Sequence, residues 1–167
     1  MARVERAYPY SIRAATARDA AVIAHLVRRA FAAQPRPTNP PSSALNETAA
    51  TITAHLARGG GAVLERDGIV AGVVLWEEED GALYISRVSV DPEYRRQGIA
   101  RALVDEAERE ARRRGIVRMT LGVRLELVEN RQLFKSCGFE DAEFRSHEGF
   151  SEPTWVLMER WLVEDSR

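Results

Sequence analysis

The sequence has little that would indicate a metalloprotein, a disulfide-linked protein or a nucleic-acid-binding protein. Cys137 is its one cysteine in 167 residues, which excludes an internal disulfide and a multi-cysteine metal site. The charges are balanced, with 24 basic and 25 acidic residues, so no basic surface for nucleic acid or an anionic membrane is indicated. Zinc-like ligand spacing, a phosphate loop followed by lysine and a G-x-S-x-G motif are missing too. We expect no metal, no nucleic acid and no membrane among the partners.

Long apolar runs are also missing. No stretch approaches the ~20 apolar residues of a membrane span, and the first six residues lack the apolar core of a secretory signal. A chain of 167 residues can bury a core of its own. We therefore expect one domain over residues 1–167 and a cytoplasmic location, which also suits a single free thiol.

The most informative stretch covers residues 88–100, where a strand, a turn and the start of a helix follow one another. Asp91-Pro92 should end the strand, because proline lacks an N–H for the sheet. Gly98 has no Cβ, so the backbone there can approach a ligand closely. The free N–H groups and the positive dipole end of the next helix then form a site that suits a phosphate, with Arg95 and Arg96 at its rim.

This stretch resembles the signature of a known family. Arg95-Arg96-Gln97-Gly98-Ile99-Ala100 is similar to the R/Q-x-x-G-x-G/A motif of the GNAT superfamily of acyl-CoA-dependent N-acyltransferases, in which the turn holds the pyrophosphate of coenzyme A. Residues 133–139 resemble the family's second signature, an aromatic-x-x-x-Gly-Phe end of a helix. Only residues 88–100 and 133–139 match specifically, but the order of the predicted elements fits the family over essentially the whole chain.

The predicted elements follow from apolar periodicity and turn residues. Helices are expected at 17–33, 44–58, from Ala100 to Gly115, and at 127–138. Strands are expected at 10–14, 62–66, 69–76, 82–90, 117–123, after Phe139, and at 152–162. The proline-rich segment 34–43 cannot be regular structure and is either a passive surface loop or a loop on the substrate side.

The resemblance implies an α/β (α+β) fold with a mixed, mostly antiparallel sheet of about seven strands and about four flanking helices. Three consecutive strands joined by Asp67-Gly68 and Asp80-Gly81 should be antiparallel. The helix between strands 82–90 and 117–123 makes these two strands parallel. In the family they splay apart, and the acyl thioester lies in the gap.

The resemblance also implies a set of coenzyme-binding positions: Val88, Val90, Arg95, Arg96, Gln97, Gly98, Ile99, Ala100, Asn130 and Phe134. Two of these depart from the family pattern. Phe134 stands where many members have a tyrosine that is thought to protonate the leaving thiolate, so the general acid is unknown or absent. The family's asparagine usually lies seven residues before the aromatic, where this chain has Leu127, so Asn130 is either a coenzyme contact or a helix cap.

The sequence offers several candidates for a general base without choosing among them: Glu77, Glu78, Glu79, Tyr84, Glu126 and His147. Tyr84 and His147 are the catalytic residues we expect. Histidine titrates near neutral pH, and His147 lies where the family's last hairpin overhangs the active site. Cys137 shares a helix face with Phe134, which would permit an acyl-cysteine route, but a buried helix-end cysteine is the favoured interpretation.

The function that the resemblance implies is direct transfer of an acetyl group from acetyl-CoA to a primary amine of a small molecule or a protein. Phe134 motivates an alternative, a coenzyme-A-binding sensor or interaction module that has lost the chemistry. A second alternative is an enzyme for a longer acyl-CoA. The near-neutral charge argues mildly against a strongly charged acceptor. A homodimer would form if an exposed strand edge near the C-terminus paired two copies.

Overall fold

One mixed sheet runs through the whole of the computed structural model, which describes residues 10–163. Its strands are β1 Ser11–Ala14, β2 Gly60–Arg66, β3 Ile69–Glu79, β4 Ala82–Val90, β5 Arg118–Arg124, β6 Glu140–Arg145 and β7 Trp155–Trp161. The helices are α1 Ala20–Ala32, α2 Ala49–Arg58, α3 Ile99–Arg113 and α4 Val128–Ser136. The expected α/β fold class is confirmed. The expectation about the first six residues lies outside the described range.

The strand order is β1-β2-β3-β4-β5-β7-β6. Only β4 and β5 are parallel, and every other neighbouring pair is antiparallel, as the order of elements predicts. The expected exposed edge at the C-terminus is wrong, because β7, the last strand of the described residues, lies between β5 and β6, and the edge strand at this side of the sheet is β6. Pairing of two copies through this edge stays a prediction.

Two tight hairpins set the register of the central strands. Asp67 and Gly68 have φ angles of 54° and 75°, and Asp80 and Gly81 have φ angles of 51° and 76°. Two consecutive positive φ values define the turn whose twist matches that of a hairpin. The two Asp-Gly predictions are therefore confirmed, and β2, β3 and β4 form the expected antiparallel trio.

The helices cover the sheet on both faces. Val63, Val73 and Leu75 pack on one face against α1 and α2, in a cluster that includes Ile23 and Ile52. Residues of alternate parity on the same strands point to the other face and join α3 and α4 in a second cluster. This alternation explains why β2 and β3 read as nearly continuous apolar runs, since both of their faces are buried.

Two helix predictions are wrong at their N-terminal ends. Residues Ala17–Asp19 form a 3-10 turn, and α1 starts only at Ala20. The helix expected over 44–58 is interrupted, because Ser43–Asn46 is a 3-10 turn and Glu47 is extended. Thr48 then caps α2 by accepting a hydrogen bond from the Thr51 N–H, which fixes the helix start.

Within residues 10–163, no helix is long and apolar enough to cross a membrane. The same range contains no cluster of His, Cys, Asp or Glu side chains that could hold a metal ion.

Candidate active site

The turn between β4 and α3 exposes the N-terminus of a long helix. Asp91 is buried and accepts a hydrogen bond from the Glu93 N–H at 3.0 Å, which starts the turn. Arg96 and Gly98 both have positive φ angles, 62° and 74°. The Ala102 N–H donates to the Gly98 carbonyl at 3.0 Å. The preceding N–H groups of α3 thus lack a partner one turn back, which is the arrangement that binds anions.

A cavity of about 630 Å³ lies over this turn. Its wall contains nine of the ten residues expected to bind coenzyme: Val88, Val90, Arg95, Arg96, Gly98, Ile99, Ala100, Asn130 and Phe134. Gln97 is the exception, because it does not line the cavity and its buried Oε1 has no hydrogen-bond partner within residues 10–163. The volume lies within the range of about 300–1,000 Å³ that is usual for small-molecule sites.

Strands β4 and β5 separate beside this cavity. Their parallel pairing consists of Leu83 with Met119 and Tyr84 with Thr120, and no further pair follows. The splay that the resemblance implies is therefore present. Beyond Tyr84, one edge of β4 has no neighbouring strand within the described residues, so its backbone groups face the gap.

A β-bulge lies in β4 at the same point. Ser86 pairs with Leu75 and Ser89 pairs with Val73, so Arg87 and Val88 together oppose a single residue of β3. Arg87 has a φ of 54°, a left-handed conformation that costs a non-glycine residue energy. The bulge turns Val88 toward the cavity, which Val90 also lines.

A buried carboxylate holds this bulge from behind. Glu47 is 5% exposed and accepts hydrogen bonds from Arg87 Nε at 3.3 Å and Nη2 at 3.1 Å. Thr51 Oγ1 donates to the same carboxylate at 2.6 Å, and Arg87 Nη2 also donates to Ser43 Oγ at 2.9 Å. Burial alone acts to raise the pKa of Glu47, but the Thr51 hydrogen bond and the Arg87 charge outweigh it and leave the pKa below its ordinary value.

The proline-rich segment folds over the end of β5. The Asn39 N–H donates to Glu126 Oε2 at 2.8 Å, and Arg36 lies 3.4 Å from the Glu129 carboxylate. Between this segment and β5 is a second cavity of about 320 Å³, which shares Phe31 and Gln34 with the first. The segment is therefore part of the site's wall.

The two expected catalytic residues lie outside the first cavity. Tyr84 points to the opposite face of the sheet, where a Cβ on Gly122 would lie 3.2 Å from its hydroxyl oxygen. Burial raises the pKa of Tyr84, so its phenol stays protonated at neutral pH. His147 follows β6, and its Nδ1 lies 2.5 Å from Thr154 Oγ1. Burial and the charge of Arg124 lower the pKa of His147.

A model of the acetyltransferase (GNAT) family matches residues 23–139, more than half of the chain. The chain belongs to the GNAT acetyltransferase family. The matched stretch runs from α1 to Phe139 and contains the turn, the bulge and the splayed strands.

Several relatives agree with this assignment. Over 82 residues the chain is 30% identical to the ribosomal protein bS18-alanine N-acetyltransferase of Escherichia coli strain K12, an alignment covering 49% of this chain and 55% of that enzyme. The chain thus matches about half the length of this curated relative.

Two solved structures share the fold over almost the whole chain. The ribosomal-protein-S18-alanine N-acetyltransferase from Escherichia coli superposes with a TM-score of 0.75 at 22% identity, covering 95% of this chain and 97% of that one. The PaiA N-acetyltransferase from Thermoplasma acidophilum, in complex with coenzyme A, has a TM-score of 0.75 at 16% identity and covers 92% and 99%.

This GNAT protein has Phe134, and therefore no tyrosine hydroxyl, at the end of α4. Phe134 lines the first cavity, is 8% exposed, and packs edge-to-face on Phe139 with ring centroids 6.2 Å apart. Asn130 also lines this cavity and is not the N-cap of α4, a position that Leu127 occupies. Cys137 lies outside the cavity wall, and burial raises the pKa of its thiol, which disfavours an acyl-cysteine route.

The remaining candidates for a general base have structural partners or lie far from the turn. Glu77 and Glu78 lie at the end of β3, 3.6 Å from Arg58 and 3.2 Å from Arg114. Glu79 pairs with Ala82, at the end of β4 remote from the turn. Glu126 accepts the Asn39 N–H. None of these glutamates lines the first cavity.

Sequence reasoning missed three residues of this GNAT site: Glu47, Arg87 and Arg124. A signal for the bulge was nevertheless present. The apolar positions Leu83 and Ile85 alternate, and so do Val88 and Val90, but the step from 85 to 88 is three residues. A change of phase within a strand indicates an inserted residue. Glu47 and Arg124 carry no such local signal.

Proposed function

We propose that this protein transfers an acetyl group from acetyl-CoA directly to a primary amine, as one N-acetyltransferase domain. The observation that supports this most strongly is the meeting of three features at one cavity: a free helix N-terminus, a strand bulge and a gap between parallel strands. Membership of the GNAT family and the acetyltransferase names of its relatives agree with it. The one cysteine suits a cytoplasmic location.

In this proposal the nine lining residues hold the coenzyme. The free N–H groups of α3, with Arg95 and Arg96 beside them, bind the pyrophosphate. The backbone at Val88 and Val90 lies along the thioester arm, and Asn130 and Phe134 form the opposite wall. Gln97 is left out because it does not reach the cavity.

The reaction itself needs position more than strong acid or base catalysis. The neutral amine attacks the thioester carbon, the carbonyl oxygen becomes negative, and the carbon–sulfur bond then breaks to release the thiolate. A backbone N–H at the bulge, freed from the ladder, is suited to stabilise the oxyanion. The amine loses one proton and the thiolate gains one, so the amide and free coenzyme A result.

His147 accepts the proton of the amine in this proposal. His147 is neutral at physiological pH because its pKa is lowered, and the tautomer in which Nδ1–H donates to Thr154 leaves Nε2 free to accept the amine's proton. Tyr84 keeps its own proton, but its hydroxyl lies on the face of the sheet opposite the first cavity, so we assign it no transfer to the thiolate there. Phe134 has no hydroxyl to donate, so the acid stays unassigned.

The proposal is tested by calorimetric titration with acetyl-CoA, followed by a thiol-release assay against a panel of primary amines. We expect binding, and release with one class of amine. Binding without release would replace the enzyme with a coenzyme-A-binding sensor, and no binding would refute both. Repeating the assay with propionyl-CoA and succinyl-CoA checks the acyl length.

The substitution Phe134→Tyr separates the enzyme from the sensor. A hydroxyl at this cavity-lining position supplies a proton donor for the thiolate, and general acids contribute about 10²- to 10⁴-fold. We expect kcat to rise at least several-fold, measured by thiol release under saturating acetyl-CoA. The control Phe144→Tyr changes an exposed ring on β6 and should leave kcat unaltered. Zero turnover in both the parent and Phe134→Tyr would favour the sensor.

A further inference from the structure

The second cavity contains an arginine that no acidic side chain neutralises by contact. Arg124 is the last residue of β5, and it lies past the point where β5 stops pairing with β4. Val123 packs in the core with α3 and α4, so the alternation of the strand directs Arg124 to the face covered by the proline-rich segment. There it lines the cavity of about 320 Å³.

Most N–H donors of the Arg124 guanidinium have no acceptor among the described residues. One terminal nitrogen donates to the Pro40 carbonyl, and the buried Nε has no partner within residues 10–163. Glu126 is near enough to act on Arg124 through space, but no ion pair joins Arg124 to a carboxylate of residues 10–163. Burial lowers the pKa of Arg124, whereas hydrogen bonds to carboxylates raise the pKa of Arg13 and of Arg131. Such a guanidinium gains most from an anion.

Much of the rest of the cavity wall is apolar, formed by Phe31, Pro37, Pro41, Leu45 and Leu127. The polar residues Gln34, Arg36, Thr38 and Ser42 also line it, and Arg36 is itself paired with Glu129. The volume lies at the lower end of the range for small-molecule sites, about 300–1,000 Å³, so a small molecule fits better than a peptide. Because Phe31 and Gln34 line both cavities, a ligand in this one adjoins the space assigned to the thioester.

We infer that the amine acceptor is a free amino acid with an apolar side chain, whose carboxylate is bound by Arg124 and whose side chain fills the second cavity. This inference rests on the proposed acetyl transfer and adds the class of its acceptor. The α-amine, one carbon from the carboxylate, then lies on the side of the cavity that faces the splayed strands.

The test compares amines that differ only in the carboxylate. Thiol release from acetyl-CoA is measured with L-leucine, L-methionine and L-phenylalanine, with their amides, and with a tripeptide that begins with leucine. We expect kcat/KM for each free amino acid to exceed that of its amide by on the order of 10²-fold, since a buried charge pair is lost with the amide. Equal or better use of the amides or of the tripeptide would overturn the inference.

Two variants test whether Arg124 causes the preference for free amino acids over their amides. Arg124→Gln should remove the discrimination between leucine and leucinamide, and Arg124→Lys should keep part of it. The control Arg118→Gln alters an arginine at the other end of β5, outside this cavity, and should keep it all. Acetyl-CoA affinity, measured by calorimetry for every variant, shows whether the fold survives. An unchanged preference in Arg124→Gln would overturn the inference.

The two proposals fail in different ways. Release with leucinamide or the tripeptide and not with leucine removes only the amino-acid acceptor and leaves acetyl transfer standing. Failure of every amine, or failure to bind acetyl-CoA, removes both.

Discussion

Gly98 has no side chain, and this leaves room for a ligand at the turn between β4 and α3. The residue has a φ of 74°, is the N-cap of α3, and lines the first cavity. A Cβ at this position would meet no atom within 4 Å, so the backbone could carry a side chain without a clash. The space beside it is therefore open to a ligand, and the positive end of the helix dipole favours an anionic one.

We predict that Gly98→Glu weakens acetyl-CoA binding at least ~10²-fold, because a second anion then occupies the phosphate position. Positive φ should cost the variant only about 1–2 kcal/mol of stability. The matched control is Gly68→Glu, with a φ of 75°, open space and a place in the β2–β3 hairpin. Calorimetry on both variants checks this, and equal affinities would refute the assignment of the turn.

His147 is the second residue whose environment changes its chemistry. Its lowered pKa means that the folded state binds a proton less readily than the unfolded state, whose histidine pKa is about 6.5. The stability that His147 contributes is therefore present above that pH and is lost as pH falls through the folded-state value. If His147 is the base, as proposed, its neutral form is available over the same range.

We predict that kcat holds level from neutral pH down to about 6.5 and falls below it, when His147 becomes protonated. His147→Gln should lower kcat about tenfold or more and remove that inflection. His25→Gln, at an exposed position on α1, is the control. An inflection that persists in His147→Gln would exclude this histidine as the base.

At the scale of elements, the bulge in β4 is the feature that converts a strand into part of an active site. It leaves one residue of β4 outside the ladder with β3, while the splay removes β5 from the other edge. Arg87 occupies a left-handed conformation there, and its side chain is tied to Glu47 and Ser43. The segment that contains Ser43 and Glu47 lies about 40 residues before β4 in the sequence, and its contacts with Arg87 thus fix the backbone beside the gap between β4 and β5.

We predict that Glu47→Gln lowers the unfolding free energy by about 3 kcal/mol. The substitution removes the carboxylate that pairs with Arg87, and the guanidinium is left largely buried without an opposite charge. It should also lower kcat about tenfold under conditions where the variant is folded, since the bulge loses its anchor. Glu65→Gln, which breaks the more exposed pair with Arg13, should cost at most ~1 kcal/mol and leave kcat unaltered. Denaturant unfolding and thiol release measure both effects, and a stability loss with normal kcat would contradict the positioning role.

At the scale of the whole molecule, two helix layers hold a sheet that is divided down its middle. Helices α1 and α2 cover one face, and α3 and α4 cover the other. Between them β4 and β5 share only two residue pairs, whereas β5 and β7 share seven. A ligand lodged in the gap would contact both halves, and the stability of the whole fold should respond to it.

We predict that acetyl-CoA at 100 times its Kd raises the melting temperature by about 5–10 °C, from a linkage free energy of ~2.7 kcal/mol. Coenzyme A without the acetyl group should give most of this shift, because the phosphate turn is common to both. Gly98→Glu, with its ~10²-fold weaker binding, should show a shift of about 1 °C or less at the same acetyl-CoA concentration, and Gly68→Glu the full one. Scanning calorimetry checks this, and an unshifted parent protein would argue against a site in the gap.

The sequence by itself determined the features whose causes are local. Asp-Gly pairs set two hairpins, alternation and helical spacing gave the order of the elements, and Gly98 with its arginines marked the phosphate-like turn. Even the bulge was encoded, as a three-residue step between Ile85 and Val88. The predictions that helices start near residues 17 and 44 were wrong, because capping geometry, and not periodicity, decides where a helix begins.

Only the tertiary structure decided the contacts between distant parts of the chain. Glu47 and Arg87 are 40 residues apart, Asn39 and Glu126 are 87 apart, and β7 inserts between β5 and β6. Each such contact depends on burial and on the shape of the whole fold, which the periodicity and spacing of residues in the sequence do not report. Arg124 shows this best: in the sequence it is one arginine among many, and only its position in the wall of the second cavity supports the role proposed for it.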